Sequence, residues 1–347
     1  MKHFISYSDI KSFTEKILSK VGLDLFSMKA VSNGLCESSL RGVDSHGICL
    51  LPHYVNSAIS GRKNPSPKFS FSKKFPTIGI LDADNAFGHA AGMQAIKHSI
   101  QISDEYGIGS VAVKNSSHPG ALASMVLNAA RKGYIGFGFT HADSLMLTQN
   151  GTRPYLGTNP ICFAVPRKEE EPFCVDMATS MISWNKLLNH KIANVDLDRN
   201  VAADKNGDMT LNPNEAYSLF PAGSYKGFAL ATMVEILCSV FTGMAFGRNI
   251  PSMYKTPMDK QRHLGQFYIT IRADGCIEYE DFIISMQQLT DEIRSEPPYD
   301  NEKIMMANDP EIISSKERLI NGIPIADELF ISLMKLSKKY NIALITK

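Results

Sequence analysis

The 347-residue chain is long enough for two or three domains with a substantial core. Apolar residues make up 44% and charged residues 20%, as in an ordinary soluble protein, and a formal net charge of +1 argues against binding to nucleic acid or to anionic membranes. The six cysteines form no CxxC pair or metal-type cluster, so we expect reduced thiols in a cytoplasmic protein and no metal site.

The N-terminal part of the chain is predicted to be helical. Apolar residues recur at helical spacing from Ile10 to Val21, and further helical patterns run over 24–40 and from about 51 to a stop at Gly61. Between the last two helices, the segment DSHG at 44–47 marks a sharp break. Its three hydrogen-bonding side chains suit the edge of an active site, but Asp44 or Ser45 could instead simply cap the next helix.

From about residue 75, strands alternate with helices, which predicts an α/β fold class. The predicted strands are 77–81, 110–113, 134–140, 161–165, 173–176 and 266–272. The predicted helices are 90–106, 120–132, 227–243, 279–294, 311–320 and 326–340. The apolar segment 228–246 contains one charge, Glu235, so we expect a helix buried in the protein rather than a membrane span.

Two motif matches are rejected on their context. Residues 107–112 fit G-x-G-x-x-A, but they follow a helix and precede a strand, the reverse of a Rossmann phosphate site. Residues 204–215 place oxygen ligands as in a calcium-binding EF-hand. However, Met209 occupies the position that needs glycine, and Pro213 lies where the second helix should begin.

Two other segments are better candidates for chemistry. Residues 224–227, Ser-Tyr-Lys-Gly, open an apolar helix, where free N–H groups and Lys226 would favour a phosphate. The alternative is that Lys226 is only the solvated end of that helix. His118 follows a predicted strand, which is where α/β proteins place ligand-binding groups, and its imidazole titrates near neutral pH. Position alone is weak evidence, because His89 and His141 lie in similar places.

Several segments together resemble one family along nearly the whole chain. They are DSHGI at 44–48, HPGA at 118–121, LGTNPICFAVP at 156–166, VDMATS at 175–180, KGFALATMVEIL at 226–237 and HLGQFYITI at 263–271. The chain resembles the malate/L-lactate dehydrogenase family, which includes ureidoglycolate dehydrogenase and diketogulonate reductase and is distinct from the Rossmann dehydrogenases. The segments 245–254 and 202–207 favour the ureidoglycolate dehydrogenase branch.

The resemblance implies an NAD- or NADP-dependent oxidoreductase, usually a homodimer. It would transfer a hydride between nicotinamide and a small 2-hydroxy or 2-oxo acid of the malate, lactate or ureidoglycolate type. A cyclic imine carboxylate reductase and a non-catalytic nicotinamide-binding protein remain alternatives. We expect a non-Rossmann cofactor-binding α/β domain at 73–304, beside a helical domain formed by 1–72 and the returning C-terminal helices of 305–347.

The resemblance also implies roles for individual residues. His118 is favoured as the acid–base group, with His46 and Ser45 binding the substrate or sharing the proton, and Asp204 matches an acidic position that could orient one histidine. The cofactor-contacting positions match Ala142, Asp176, Met177, Ala178, Tyr225, Lys226, Gly227 and Asp309.

The sequence departs from the family pattern near the substrate. An arginine suited to a carboxylate often follows the His-Gly pair, but here those positions hold Cys49 and Leu50. Arg41 and Arg262 are therefore the candidate substrate cations. Asn185 stands where glycine is usual, and Ala307-Asn308 replaces a Pro-Gly pair.

Overall fold

The computed structural model describes residues 2–345 of the chain. The α-helices are α1 Tyr7–Lys20, α2 Leu25–Leu40, α3 Leu51–Ile59, α4 Gly88–Tyr106, α5 Ala123–Ala130, α6 Trp184–Ala193, α7 Tyr225–Glu235, α8 Tyr279–Ser295, α9 Asp309–Asn321 and α10 Asp327–Tyr340. The strands are β1 Lys2–Ile5, β2 Ser70–Phe75, β3 Ile78–Asp82, β4 Ile108–Ser116, β5 Tyr134–Thr140, β6 Met146–Leu147, β7 Pro154–Leu156, β8 Ile161–Val165, β9 Phe173–Met177, β10 Ala202–Ala203, β11 Met209–Thr210, β12 Ser218–Leu219, β13 Leu264–Arg272 and β14 Ile323–Ala326.

A seven-stranded sheet forms the centre of the α/β part, in the order β2-β3-β4-β13-β5-β8-β9. The β3–β4 pair is parallel, whereas the other neighbours in this sheet are antiparallel. The alanine-rich faces of α4 and α5 pack on it and bury a common core. Glycine permits this close packing, because a Cβ atom on Gly138 of β5 would lie 2.7 Å from the Val126 side chain of α5.

Helices from both ends of the chain share a second core. Side chains of α1, α2 and α3, including Ile17, Leu35 and Tyr54, belong to one buried cluster with Leu333 of α10. Strands β1 and β14 pair antiparallel beside it. The prediction that N- and C-terminal helices pack together is consistent with this cluster, while the domain limits themselves stay predictions.

The predicted elements agree with the structure to within three residues at each end, except at one helix. The helix predicted over 227–243 is present but changes type, because α7 ends at Glu235 and continues as a π-helical turn, Ile236–Val240. At that turn β13 comes very close, since a Cβ atom on Gly265 would lie 1.7 Å from the carbonyl oxygen of Cys238. A wider turn fits this contact in place of a regular α-helix.

Glu235 lies inside the protein at the end of α7. Its carboxylate accepts hydrogen bonds of 2.7 Å from the Asn159 side chain and from the backbone N–H of Gly247. The buried carboxylate is therefore held by specific donors. Within residues 2–345, no helix combines the length and apolar character needed to cross a bilayer.

Candidate active site

The structure brings His46 and His118 together at one cavity. His46 ends a short 3-10 turn after α2, and His118 lies in the loop between β4 and α5. Both line a cavity of about 400 Å³, and their ring centroids are 5.7 Å apart with the planes 24° from parallel. Two imidazoles from distant parts of the sequence thus face a space large enough for a small ligand.

His118 is held from behind by Tyr54 of α3. The Tyr54 hydroxyl lies 3.0 Å from Nδ1 of His118 and 3.3 Å from its carbonyl oxygen. Desolvation lowers the pKa of His118 well below its usual value, and the neighbouring groups His46, Lys63, Arg262 and His89 lower it further. His118 is therefore a neutral imidazole at pH 7, oriented through Nδ1.

His46 is oriented by Ser45 and, less directly, by Asn185. The Ser45 hydroxyl lies 2.9 Å from Nδ1 of His46, and burial lowers the pKa of His46 to about 4. The Asn185 side chain donates a 2.8 Å hydrogen bond to the Ser45 carbonyl oxygen, and the Tyr254 hydroxyl donates to the Asn185 Oδ1 at 3.0 Å. Asn185 and Tyr254 both line the cavity, so this chain of bonds connects two of its walls.

Arg262 is the predicted substrate cation that lines the cavity. Its guanidinium donates to Asp143 at 2.5 Å and to the Pro251 carbonyl oxygen at 2.7 Å, and only 4% of the residue is exposed. The cavity is lined by three further cations, Arg153, Arg248 and Lys255. The cavity can therefore balance the charge of an anionic ligand, although Asp143 already offsets part of the charge of Arg262.

Arg41 lies outside this cavity. It is buried, its guanidinium donates a 2.8 Å hydrogen bond to Asn308, and it lines a separate, smaller cavity that also contains Asp176. The sequence-based expectation that Arg41 binds the substrate carboxylate is not supported by this position, and Arg262 is left as the better candidate.

Three of the four predicted cofactor segments lie next to one another. Ala142 lines the cavity, and its N–H donates to Asn159 at 3.2 Å, beside Thr158 in the lining. The segment Asp176–Ala178 spans the end of β9 and leads into Thr179, which donates its N–H to Thr158 and accepts the N–H of Ala222 at 2.9 Å each. Ala222 precedes the third segment, 225–227.

Gly227 allows this close approach at the start of α7. A Cβ atom at Gly227 would lie 2.3 Å from the Ala222 carbonyl oxygen and 2.6 Å from that of Thr179. Tyr225 and Lys226 are exposed at the start of α7, where the N–H of Gly227 donates to the Ala222 carbonyl oxygen at 2.8 Å. A continuous wall thus runs from the cavity to a helix N-terminus with a lysine, and these residues fit a cofactor that carries phosphate groups.

Asp309 is engaged in an ion-pair network instead. Its carboxylate accepts hydrogen bonds from Arg294 at 2.7 Å, from Arg167 at 3.3 Å and from the backbone of Met306 at 2.9 Å. The residue is 8% exposed. These partners give the Asp309 carboxylate a structural role at the start of α9, and its predicted role in cofactor binding has no support from its contacts.

Asp204 also lies away from the cavity lining. Its carboxylate accepts the backbone N–H groups of Asn206 at 2.8 Å and Asp208 at 3.0 Å, within the tight turn between β10 and β11. The predicted relay from Asp204 to a histidine therefore has no contact to support it. The turn belongs to a hairpin and not to two flanking helices, in agreement with the rejection of an EF-hand. Across 2–345, no three His, Cys, Asp or Glu residues are arranged to hold a metal ion.

Sequence reasoning did not single out Tyr54 and Asp143, which contact His118 and Arg262. Tyr54 lies within a helix, where an aromatic residue is more often part of the core, so no local pattern reveals its contact with His118. Asp143 directly follows Ala142, which the resemblance did identify, and its pairing with Arg262 spans 119 positions. Asn185 was noticed only as a departure, without its bond to Ser45.

Comparison with known proteins extends over nearly the whole chain. Residues 5–334 match the family model described as malate/L-lactate dehydrogenase. The chain is 30% identical to ureidoglycolate dehydrogenase (NAD(+)) of Escherichia coli over 327 residues, covering 94% of this chain and 93% of that protein. It is 30% identical to a malate dehydrogenase of Pyrococcus abyssi, covering 97% and 95%. The solved malate dehydrogenase structure from Entamoeba histolytica superposes with a TM-score of 0.94 at 28% identity, covering 99% of each chain.

Proposed function

The chain belongs to the malate/L-lactate dehydrogenase family, and from this premise we propose that it transfers a hydride between nicotinamide and a small 2-hydroxy or 2-oxo acid. It is an NAD(P)-dependent oxidoreductase that acts on CH–OH groups. The observation that carries the proposal is the pair of desolvated histidines beside Arg262 in one cavity. This pair supplies a proton acceptor next to a group that can bind a carboxylate.

In this proposal the chain moves the proton and positions the substrate. When bound, NAD or NADP supplies the hydride acceptor or donor. His118, neutral and held at Nδ1 by Tyr54, accepts the hydroxyl proton of the substrate during oxidation and returns it during reduction. His46 binds the same oxygen or shares the proton, since its ring stacks 5.7 Å from that of His118.

Arg262 is the proposed partner of the substrate carboxylate. Its planar guanidinium suits two parallel hydrogen bonds to a carboxylate. Asp143 fixes the orientation of that guanidinium and partly neutralises its positive charge when no substrate is bound. Ala142, the segment Asp176–Ala178 and the start of α7 are the proposed cofactor contacts, and Lys226 is the proposed phosphate partner there.

Spectroscopic assays test the reaction class. The oxidation of reduced NAD or NADP is followed by absorbance with a panel of 2-oxo acids, and the reverse reaction with malate, lactate and ureidoglycolate. We expect turnover with at least one 2-hydroxy/2-oxo acid pair. Turnover only with cyclic imine carboxylates, or tight cofactor binding without any turnover, would contradict the proposal.

We also propose that the protein is a cytoplasmic homodimer. The π-helical turn after α7 leaves Ile236, Val240 and Phe241 each at least 50% exposed, an apolar face that a second copy of the chain would bury. All six cysteines are free thiols, which suits a reducing compartment. Light scattering should give twice the mass of one chain for the wild type and a lower mass for Val240→Asp. A monomeric wild type would contradict the dimer. Cell fractionation tests the location.

A further inference from the structure

Lys63, just after α3, is a buried lysine outside the machinery proposed above. It is 2% exposed, and its Nζ has no hydrogen-bond partner among the described residues. Nζ lies 3.6 Å from the ring centroid of Tyr54 and 4.9 Å from that of Phe87. An ammonium group in this position is desolvated and is stabilised mainly by the two aromatic rings. Such a costly arrangement needs an explanation.

Tyr54 connects Lys63 to the active-site cavity. One face of its ring contacts the lysine, and its hydroxyl lies 3.0 Å from Nδ1 of His118. Tyr54 is itself fully buried, and its ring also contacts Phe87 and His89 edge-on. The tyrosine is thereby fixed between the lysine and the histidine. A change in the charge of Lys63 therefore affects His118, because Tyr54 contacts both residues.

We propose that Lys63 is a positioning residue for His118. Lys63 fixes the Tyr54 ring and, as an ammonium, makes the Tyr54 hydroxyl a better donor to the His118 carbonyl oxygen and opposes protonation of the imidazole. The proposal rests on the proposed function of His118 as the acid–base group. A positive charge over a phenol ring favours hydrogen-bond donation by its hydroxyl. Because the hydroxyl donates to the carbonyl oxygen at 3.3 Å, its oxygen can accept from Nδ1–H, and Nε2 of the neutral imidazole stays free to take the substrate proton.

The groups around His118 and Lys63 are mostly cationic or neutral. His118 is faced by Tyr54 of α3, His46 of the 3-10 turn, His89 of α4, and Arg262 before β13, besides Lys63 itself. The charged groups that act on Lys63 are the guanidinium groups of Arg262 and Arg62.

Two of these cations have partners of their own. Arg62 is held by the carbonyl oxygens of Met253 and Pro257, and Arg262 by Asp143. Burial, together with Arg262 and Arg62, lowers the pKa of Lys63 well below its usual value. No carboxylate contacts Lys63 among the described residues, so a protonated Lys63 has no local counter-charge.

The direction of the effect follows from like-charge repulsion. Oxidation of the hydroxy acid requires neutral His118, so the rate falls at low pH as His118 gains a proton. Without the charge of Lys63, the pKa of His118 should rise, and the acid limb of kcat/KM should move to higher pH by about one unit.

The test compares Lys63→Met with the wild type and with Lys73→Met. Lys73 is a matched control, because its Nζ lies 5.4 Å from the ring centroid of Tyr106 on the surface. Two readouts are measured, the pH profile of kcat/KM and the titration of His118 by NMR of histidine-labelled protein, with the signal assigned from His118→Gln. We expect both to shift upward by about one unit in Lys63→Met and neither in Lys73→Met. An unshifted His118 titration would overturn the proposal.

A double-mutant cycle tests the route through the tyrosine. In a Tyr54→Phe background, which keeps the ring and removes the hydroxyl, Lys63→Met should shift the His118 titration by less than half as much. An equal shift would overturn the route through Tyr54. Lys63→Arg, which keeps the charge, should restore the wild-type titration.

The remaining outcomes are also decisive. If Lys63→Met does not fold, the charge of Lys63 is measured instead in the wild type, by NMR of labelled lysine. The proposal is overturned if Lys63 is neutral throughout the pH range in which His118 titrates. The NMR titration needs no turnover. It therefore separates a failure of this proposal from a failure of the proposed function, which would appear as near-normal activity of His118→Ala.

Discussion

The Tyr54 hydroxyl lies 3.0 Å from Nδ1 of His118, so a residue of the N-terminal helices orients a histidine of the α/β part. This contact joins segments 64 positions apart at the cavity. The imidazole is thereby fixed in one orientation, as a proton-transferring group must be. The predictions below depend on that orientation and on the desolvation of the site.

The pH dependence should differ between the two directions of the reaction. Desolvation lowers the pKa of His118 below its usual 6.5, so the neutral form needed for oxidation persists to acidic pH. We expect kcat/KM for oxidation to fall only well below pH 6.5, and kcat/KM for reduction, which needs the protonated form, to decline as pH rises. Initial rates from pH 4.5 to 9 in both directions provide the measurement. A midpoint at or above 6.5 for oxidation would argue against a desolvated base.

The two candidate substrate arginines should behave differently. Replacing Arg262 by lysine removes the planar guanidinium, and we expect KM for the 2-oxo acid to rise about tenfold or more. Arg41→Lys is the matched control, since Arg41 bonds Asn308 outside the cavity, and its KM should stay near the wild-type value. Steady-state kinetics with thermal melts would distinguish binding from folding effects. A larger KM change in Arg41→Lys would reverse the assignment.

Asn185 should act on substrate binding through Ser45. Asn185→Ala removes the 2.8 Å bond to the Ser45 carbonyl oxygen and the acceptor for Tyr254. We expect KM to rise about tenfold, equivalent to about 1.4 kcal/mol, which is the usual size of one lost hydrogen bond. The exposed neighbour Lys186 serves as control, and Lys186→Ala should not change KM. Equal increases in KM for the two variants would show that KM depends on the start of α6 and not on the hydrogen bond from Asn185 to Ser45.

Asp309 should affect stability and not cofactor affinity. Asp309→Asn weakens the bonds from Arg294 and Arg167, and we expect the free energy of unfolding to fall by about 1 to 3 kcal/mol. The Kd for NAD or NADP, measured by fluorescence titration on the folded variant, should stay within about twofold of the wild type. A large loss of cofactor affinity at unchanged stability would restore the role that the family resemblance implied.

Most of the regular elements could be predicted from the sequence because their periodicity is local. Strand β5 was predicted to the residue, whereas the pairing of β13 between β4 and β5 could not be, since it joins segments more than a hundred positions apart. The sheet β11-β10-β12-β6-β7 was missed, because strands of two or three residues carry no periodic signal. Helix α6 was missed because only Leu187 of its residues is buried.

In the candidate site, too, residues with a local sequence motif could be predicted, whereas contacts that depend on tertiary packing could not. His46 and His118 were identified by motif, but their 5.7 Å separation depends on tertiary packing. The cofactor-binding role expected for Asp309 stays a prediction without a supporting contact, because Arg294, 15 positions away, and Arg167 occupy its carboxylate. Lys63 could not have been singled out, because a lysine in a loop is ordinarily solvated, and only the fold places it against an aromatic ring.

The central claim is that His118 transfers the proton, and its replacement by alanine tests this most directly. Turnover and cofactor Kd are measured for His118→Ala, with His46→Ala as the comparison, on whichever 2-hydroxy acid the wild type oxidises. The account predicts a loss of turnover of at least about a hundredfold in each variant, with cofactor affinity retained. Near-normal turnover of His118→Ala would contradict it.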